Sequence, residues 1–457
     1  MDYDEFLEKK SFDDVVSGFD IELDDLNPKL FDFQKSIIKW ALAKGRAAVF
    51  ADTGLGKTAM QTTWAHHVNR HTDEPVLILA PLAVAHQTVK EAKKFGVEIE
   101  YKRNMDGVQK GIYITNYEMI DKFDIDYFTG IVLDESSILK SQTGKYRTEL
   151  IDRAQLVPYR LSCTATPSPN DFMELGNQCQ FFGVMSQSEM LAMFFINDTG
   201  NTGTWRLKKH AGNKFWEWMS TWACVIRKPS DLGFKDDGYD LPPFNVYEHV
   251  IESPVRDGLF ADTALTLSER RQAKKETIDQ RCKVAAELVN NSDDKWIIWC
   301  NLNDEQNLLN QLINNAVSVQ GSDKDHEKED RLLGFADCRY KNLITKSSIA
   351  GFGLNFQSSR NMVFVGLDDS FEKYYQAVRR QHRFGQEKQV NVHIVRAESE
   401  GAIKLNLERK QKQHEEMSES MIKHMRDLMK EKITGIKKDK TLYDANLTME
   451  LPEWIQK

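Results

Sequence analysis

Short apolar runs alternate with stretches of helical periodicity in two separate parts of the chain. Between about residues 30 and 170, and again after about residue 250, each apolar run is rich in β-branched residues and is followed by turn residues. This alternation predicts parallel strands with helices packed on the sheet faces. The predicted strands are AAVFA (47–51), VLILA (76–80), IYIT (112–115), GIVL (130–133), RLSCT (160–164), WIIWC (296–300), VSVQ (317–320), NLIT (342–345), MVFVG (362–366) and VNVHIV (390–395). The predicted fold class is therefore α/β, with two parallel-sheet domains in tandem.

The region between the two predicted domains has a different pattern of apolar residues. Four of the nine tryptophans fall within residues 171–245. An apolar stripe recurs there at helical spacing and consists of Phe215, Trp218 or Met219, Trp222, and Val225 or Ile226. Such a stripe is more often a packed core than a binding surface, so it predicts a helical insertion. The segment Leu241-Pro242-Pro243 then ends the pattern and is typical of a linker.

The last part of the chain is helical in pattern and mixed in charge. Residues 401–457 hold 12 Lys/Arg against 10 Asp/Glu, which predicts a solvated helix. A basic helix that contacts nucleic acid is a weaker alternative. The predicted domains are an acidic leader (1–26), lobe 1 (27–170), a helical insertion and linker (171–245), lobe 2 (246–400) and a charged helical tail (401–457).

Composition narrows the class of protein. The 457 residues carry a net charge of −8, and the leader accounts for all of it with ten Asp/Glu and two Lys. We expect that leader to be solvated and partly disordered. No apolar run reaches about 18 residues, so we predict no membrane span, and the acidic N-terminus argues against a signal peptide. None of the six cysteines forms a C-x-x-C pair, which indicates reduced thiols in a cytosolic protein.

Residues 51–58 read Ala-Asp-Thr-Gly-Leu-Gly-Lys-Thr, after an apolar strand and before a helical stretch. This context is typical of a P-loop, whose backbone N–H groups cradle phosphate oxygens. Thr53, Gly54, Leu55 and Gly56 would form the cradle. Lys57 would reach the β- and γ-phosphates, and Thr58 would bind Mg²⁺. Ala51 stands where the general pattern has glycine, which weakens the motif taken alone.

A second strand ends in two adjacent carboxylates. Residues 130–137 read Gly-Ile-Val-Leu-Asp-Glu-Ser-Ser, some 75 residues after the P-loop and in the same predicted sheet. Asp134 would hold Mg²⁺ through a water, and Glu135 would position or deprotonate the attacking water.

Residues 376–386 read Gln-Ala-Val-Arg-Arg-Gln-His-Arg-Phe-Gly-Gln and concentrate three arginines in a partly apolar setting. Arginine carries a permanent charge and a rigid fork of donors, so these residues are expected to meet the γ-phosphate of the nucleotide. Surface ion pairs and phosphate contacts to nucleic acid are alternatives, and both suit Arg379. Arg380 and Arg383 are the predicted catalytic arginines.

The ordered motifs resemble helicase superfamily two, and within it the Swi/Snf-like DNA translocase branch, across residues 31–397. FDFQ (31–34) resembles the block whose glutamine reads adenine, and ADTGLGKT resembles motif I. DESS (134–137) matches the family in its first two residues and departs from it at Ser136 and Ser137. QAVRRQHRFGQ resembles the family signature Q-x-x-x-R-x-H-R-x-G-Q, with Arg379 as an extra arginine.

The resemblance assigns roles to further residues. Those implied to bind ATP are Gln34, Gly353 (from GFGLNFQ, 351–357) and Gln376. Those implied to couple hydrolysis to the nucleic-acid site are Thr164, Ala165 and Thr166. Those implied to contact nucleic acid are Pro81 (from APL), Thr115 (from ITNYE) and Asn355.

The resemblance implies two RecA-like lobes that bind ATP and Mg²⁺ in their cleft and DNA across both lobes. The chain also resembles compact phage and prophage helicases. This resemblance implies that the protein is located in a bacterial or phage-infected host cytoplasm. Three functions stay open: a motor on duplex or branched DNA, an RNA helicase, and an ATP-gated scaffold without turnover. No nuclease or methyltransferase constellation is recognisable, so modification of nucleic acid would need a partner, and the sequence identifies no protein partner.

Overall fold

The protein folds into two parallel sheets with helices packed against them. The computed structural model describes residues 16–140, 145–167, 172–197, 205–252, 275–350, 355–368 and 370–434. Most of the acidic leader, Gly353 and the end of the charged tail lie outside these residues. Within them, no helix is long and apolar enough to cross a bilayer.

Lobe 1 is built on a seven-stranded sheet. Its strands are β1 (Arg46–Ala51), β2 (Val76–Ala80), β3 (Glu100–Tyr101), β4 (Ile112–Asn116), β5 (Gly130–Asp134), β6 (Tyr159–Thr164) and β9 (Ala223–Ile226). Their order is β3-β4-β2-β5-β6-β1-β9, and every pair is parallel. Every residue of β2, β4 and β5 is buried, as expected for apolar runs covered on both faces.

Lobe 2 is built on a six-stranded parallel sheet. Its strands are β10 (Phe244–Ile251), β11 (Trp296–Cys300), β12 (Ala316–Val319), β13 (Asn342–Lys346), β14 (Asn361–Val365) and β15 (Val390–Ala397). Their order is β10-β15-β14-β11-β13-β12. All ten predicted strands are thus confirmed, with bounds that differ from the prediction by at most two residues. The α/β fold class with two parallel-sheet domains is also confirmed.

Helices connect the strands and cover the sheets. The α-helices are α1 (Asp32–Lys44), α2 (Lys57–Thr72), α3 (Leu82–Lys94), α4 (Lys145–Arg153), α5 (Leu175–Phe182), α6 (Gln187–Phe194), α7 (Gly212–Met219), α8 (Ile278–Asn290), α9 (Asn303–Leu312), α10 (Asp325–Ala336), α11 (Ser347–Ala350), α12 (Phe371–Val378) and α13 (Gly401–Thr434). Short 3-10 helices span Leu23–Asp25, Tyr117–Lys122, Ile125–Tyr127, Ser136–Lys140, Ala154–Leu156, Phe172–Glu174, Lys209–Ala211, Pro229–Leu232 and Glu398–Glu400.

The segment between the lobes was predicted to be helical, but it also contains β-strands. Strands β7 (Phe195–Asn197) and β8 (Trp205–Leu207) pair as an antiparallel hairpin. Strand β9 joins the edge of the lobe 1 sheet beside β1, so that sheet extends beyond the predicted boundary at residue 170. The apolar stripe is core as predicted, but α7 ends at Met219 and the stripe continues through a turn into β9. Helical spacing alone does not separate these two arrangements.

The charged tail is more than a solvated helix. Helix α13 starts on lobe 2, where Ile403 and Leu407 join the core. Its second half packs on lobe 1 through a buried face formed by Met421, Ile422, Met425 and Met429. The helix contacts β9, α1, α7 and the turn at Pro229–Leu232. This apolar face was hidden in the sequence by the many charged residues on the opposite side of the helix.

Met425→Ala tests this docking, because it removes a fully buried side chain from the contact between α13 and lobe 1. We expect the free energy of unfolding to fall by about 2–5 kcal/mol. The matched control is Leu405→Ala on the same helix, where Leu405 is 67% exposed and the change should stay within about 0.5 kcal/mol. Urea unfolding followed by tryptophan fluorescence measures both. Equal stabilities for the two variants would contradict the docked helix.

Candidate active site between the two lobes

The phosphate-binding loop joins β1 to α2 and depends on two glycines with positive φ. Gly54 has φ +91° and Gly56 has φ +80°, a region that L side chains rarely adopt. A Cβ atom at Gly54 would lie 2.9 Å from the backbone N of Phe384, and one at Gly56 would lie 2.2 Å from Nε2 of Gln34. The loop therefore brings bare backbone to the N-terminus of α2, which is a favourable site for an anion.

Lys57 is half-buried and lines the cleft. Its Nζ donates to the carbonyl oxygens of Ala51 at 2.9 Å and Asp52 at 3.4 Å. Burial lowers the pKa of Lys57, and the nearby carboxylates of Glu135, Asp52 and Asp134 oppose that shift. An ammonium group held by carbonyl oxygens next to a glycine cradle is suited to meet phosphate oxygens.

The two adjacent carboxylates stand at the end of β5. Burial and the neighbouring Glu135 raise the pKa of Asp134 to about 7. Glu135 has a backbone φ of +55°, which is strained for a non-glycine residue and is found most often at functional sites. The hydroxyl of Thr164 donates to Oε2 of Glu135 at 3.3 Å, and Tyr117 Oη donates to the Asp134 carbonyl at 2.7 Å. Both acidic residues are thus held in place by the surrounding lobe 1 sheet.

Two arginines from lobe 2 line the same cleft. Arg380 and Arg383 follow α12, and together with Lys57, Asp134 and Glu135 they surround one pocket. Burial lowers the pKa of Arg380, while Glu135 and Asp134 oppose the shift. Burial and the neighbouring Arg380 lower the pKa of Arg383 to about 10. Residues more than 240 positions apart in sequence therefore form one charged site.

Gln34 lies against the phosphate loop. Its Oε1 accepts from the Phe31 N–H at 3.0 Å, and its Nε2 donates to the Leu55 carbonyl at 2.9 Å. Gln34 is 4% exposed, and the Leu55 side chain packs into the lobe 1 core. In this conformation the glutamine braces the loop, so reading adenine would require it to exchange one of these two bonds. Leu55 can contribute only its backbone to a nucleotide.

The cleft fits a magnesium-bound triphosphate. Arg383 lines the cleft, and its Nε is buried without a hydrogen-bond partner among the described residues, as is the side-chain amide of Gln376 on α12. A polar ligand in the cleft would give the Nε of Arg383 a partner. Thr58 and Asp134 offer a hydroxyl and a carboxylate oxygen, which are the hard ligands that Mg²⁺ prefers.

The sequence motifs did not point to an aromatic group at the mouth of the cleft. The ring of Phe384 from lobe 2 lies 4.6 Å from Tyr239 and 6.0 Å from Phe31, centroid to centroid. Tyr239 belongs to the segment predicted as insertion and linker, and nothing in its neighbourhood marks it as a site residue. Nearby, the His382 ring nitrogen Nε2 lies 2.7 Å from the Pro242 carbonyl and ties lobe 2 to the linker.

The residues predicted to couple hydrolysis to nucleic acid lie next to the cleft. Thr164 contacts Glu135, and the N–H of Thr166 donates to the Thr164 hydroxyl at 3.1 Å. Ala165 lines a neighbouring cavity that also contains Asp52. The three-residue block therefore reaches from the carboxylate of Glu135 toward a second region of the interface between the lobes.

The residues predicted to touch nucleic acid have mixed outcomes. Pro81 is partly exposed at the start of α3, and Asn355 is partly buried with an unpartnered Oδ1. Thr115 is fully buried within β4, and its role in contacting nucleic acid stays a prediction. Gly353 lies outside the described residues.

Two family models match the parts of the chain that form this cleft. The DEAD/DEAH box helicase model matches residues 31–175, and the helicase conserved C-terminal domain model matches residues 279–385. Together they cover more than half of the chain. The chain belongs to helicase superfamily two. As such, it has the core of a nucleic-acid-dependent ATPase.

Relatives of this helicase include much longer proteins. The mouse DNA annealing helicase and endonuclease ZRANB3 is 23% identical over 420 residues, which cover 81% of this chain. The bovine protein of the same name is 24% identical over 423 residues. The TATA-binding protein-associated factor mot1 of Aspergillus fumigatus is 33% identical over 128 residues, which cover 26% of this chain and 7% of that protein. The chain spans about two fifths of the length of the ZRANB3 proteins.

A solved structure, the Sulfolobus solfataricus SWI2/SNF2 ATPase core in complex with dsDNA, aligns with 90% of the helicase chain and 98% of its own. The sequence identity is 17% and the TM-score is 0.43.

Gly56→Ala tests the phosphate loop, because the new methyl group would collide with Gln34 in a backbone region unfavourable to alanine. We expect ATP affinity to fall at least about tenfold, which is a loss of about 1.4 kcal/mol. Gly96→Ala is the control: Gly96 has φ +73° but no atom within 4 Å of its Cβ position. It should cost about 1 kcal/mol of stability and leave ATP affinity unchanged. Titration with a fluorescent ATP analogue measures both; equal affinities would refute the assignment of the loop.

Proposed function

We propose that this helicase is an ATP-driven motor that moves along or remodels duplex or branched DNA. The observation that carries the proposal is the division of the charged cleft: Lys57, Asp134 and Glu135 belong to lobe 1, whereas Arg380 and Arg383 belong to lobe 2. A site divided between two bodies is complete only when they meet. ATP hydrolysis would therefore depend on lobe closure, and reopening would follow each turnover.

In lobe 1, the loop from Thr53 to Thr58 would hold the phosphates through its N–H groups, with Lys57 on the β- and γ-phosphates. A bound Mg²⁺, held by Thr58 and Asp134, would neutralise charge on the phosphate oxygens. Gln34 would read adenine after releasing the Leu55 carbonyl. Glu135 would align the attacking water, and its hydrogen bond from Thr164 supports that orientation.

In lobe 2, Arg380 and Arg383 would stabilise the charge that develops during phosphoryl transfer. The unpartnered Nε of Arg383, which lines the cleft, supports a nucleotide in this part of the site. Gln376 is linked to the first arginine, because Nε of Arg380 donates to its carbonyl at 3.3 Å.

Coupling to the nucleic acid would run through Thr164, Ala165 and Thr166. Ser136 stands where the family usually has another residue. The Nε2 of Gln178 in α5 donates to the carbonyl of Ser136 at 3.0 Å and to its hydroxyl at 3.1 Å. This pair of bonds ties the catalytic carboxylates to the segment between the lobes.

DNA is the proposed nucleic acid, because the ZRANB3 relatives are DNA annealing helicases and endonucleases. The R-F-G-Q end of the arginine motif is also typical of the Swi/Snf-like branch. Contacts would be mainly to phosphates, with Pro81 and Asn355 as candidates. Binding would then be independent of sequence and sensitive to salt.

The test is ATP hydrolysis without nucleic acid and with single-stranded DNA, duplex DNA, forked DNA or RNA. We expect duplex or forked DNA to stimulate turnover strongly. Arg383→Ala should lower the stimulated kcat by about 10³-fold or more, as loss of an arginine finger does. Arg339→Ala is the control: this lobe 2 arginine is exposed, pairs with Asp330 on the surface, and should leave kcat unchanged.

Stimulation by RNA alone would overturn the choice of DNA. Binding of ATP without turnover on any nucleic acid would support a gated scaffold instead of a motor. Full activity of Arg383→Ala would show that the arginines of lobe 2 do not complete the site.

A further inference from the structure

Asp52 of lobe 1 receives two side chains from lobe 2. Tyr375 Oη donates to its Oδ1 at 2.8 Å, and Nη2 of Arg379 donates to its Oδ2 at 3.2 Å. Asp52 also accepts the N–H of Thr53 at 2.6 Å, which fixes the start of the phosphate loop. One carboxylate thus joins the loop that cradles phosphate to the helix that precedes the catalytic arginines.

These groups are shielded from solvent. The side chain of Asp52 is 15% exposed and that of Arg379 is 22% exposed. Burial alone would raise the pKa of Asp52, but Arg379 and Tyr375 hold it below its usual value. Burial alone would lower the pKa of Arg379, but Asp52 and Tyr375 hold it above its usual value. Both partners therefore stay ionised, and separating the lobes would leave each charge without its main partner.

The pair is placed next to the catalytic arginines. Arg379 ends α12, its N–H donates to the Tyr375 carbonyl at 3.0 Å, and its guanidinium lies 5.1 Å from the Tyr375 ring centre. Arg380 is the next residue along the chain. On the other side, the Asp52 carbonyl accepts from Lys57 at 3.4 Å. A shift of Arg379 away from Asp52 would therefore move the catalytic arginine away from the phosphate loop.

We propose that Asp52, Tyr375 and Arg379 form an interlobe latch that holds lobe 2 against the phosphate loop and positions Arg380 and Arg383 there. The latch uses protein groups alone, so it acts before nucleotide is bound. It deepens the proposed function and rests on it for its effect on turnover. These three are positioning residues, because they act through the catalytic arginines.

A second ion pair between the lobes provides a matched comparison. Lys90 on α3 pairs with Glu329 on α10 at 2.6 Å, but their side chains are 56% and 37% exposed. Exposed ion pairs contribute little, because water and salt screen them, whereas breaking a buried pair leaves an uncompensated charge. The buried pair is therefore expected to control closure, and the exposed pair is not.

The first measurement is lobe closure without nucleotide or DNA. Cys338 in lobe 2 is exposed and the other five cysteines are buried, so one dye goes on Cys338 and a second on the thiol introduced by Lys93→Cys in lobe 1. Single-molecule Förster resonance energy transfer between the two dyes then measures the fraction of molecules in which the lobes are closed. Asp52→Asn preserves an acceptor for Thr53, while Arg379→Gln removes the other charge.

We expect each of these two variants to lower the ratio of closed to open molecules about tenfold or more. Tyr375→Phe should lower it less, and Arg379→Lys should fall between the wild type and Arg379→Gln. Lys90→Gln should change the ratio less than about twofold. The double variant Asp52→Asn/Arg379→Gln should have a ratio of closed to open molecules no lower than that of the more affected single variant, because both changes remove the same ion pair.

The second measurement is DNA-stimulated ATP hydrolysis by the same variants. Arg379→Gln should lower kcat about tenfold with little change in the KM for ATP, because the phosphate loop itself belongs to lobe 1. Unchanged closure in both single variants, or losses that multiply in the double variant, would overturn the latch. A wild type without DNA-stimulated turnover would overturn the proposed function instead, and the closure measurement would still decide on the latch.

Discussion

The central physical constraint in this helicase is the burial of charge where the two lobes meet. Lys57, two carboxylates and two arginines share one cleft, and burial shifts the pKa values of Lys57, Asp134 and both arginines in the direction that disfavours each charge. Charges in such a setting need partners from the opposite side, because water cannot supply them. Closing the cleft provides those partners from the opposite lobe. An anionic nucleotide would be a further partner for the positive charges. The same cost makes an open cleft with unpaired buried charges unfavourable.

The rest of the fold limits how the lobes can separate. Helix α13 begins in the core of lobe 2 and ends in the core of lobe 1, and its methionine-rich face adapts well to an irregular surface. The linker is held by His382 through the Pro242 carbonyl. The lobes are therefore joined covalently by the linker and noncovalently by α13, which follows lobe 2 in the chain and packs on lobe 1. Any movement that opens the cleft has to accommodate both of these connections.

Much of this architecture was predictable from the sequence, and the remainder depends on contacts that sequence patterns do not encode. Apolar runs identified ten strands, and short motifs identified the phosphate loop, the acidic pair and the arginine cluster. Strand β9 was missed because its apolar residues continue a helical stripe, and the buried face of α13 was masked by surrounding charges. The burial of Thr115 was not predicted, because a motif position does not report burial. Asp52 and Arg379 were both visible, but only the fold brings residues 327 positions apart to 3.2 Å.

The most direct test of the motor is displacement of a third strand from a DNA triplex by the wild-type protein. A third strand blocks movement along the duplex without requiring the duplex itself to separate. The account predicts release of that strand with ATP, and no release with a non-hydrolysable ATP analogue or with Lys57→Ala. Duplex-stimulated hydrolysis that never releases the third strand would contradict the claim that closing and opening of this cleft drive movement along DNA.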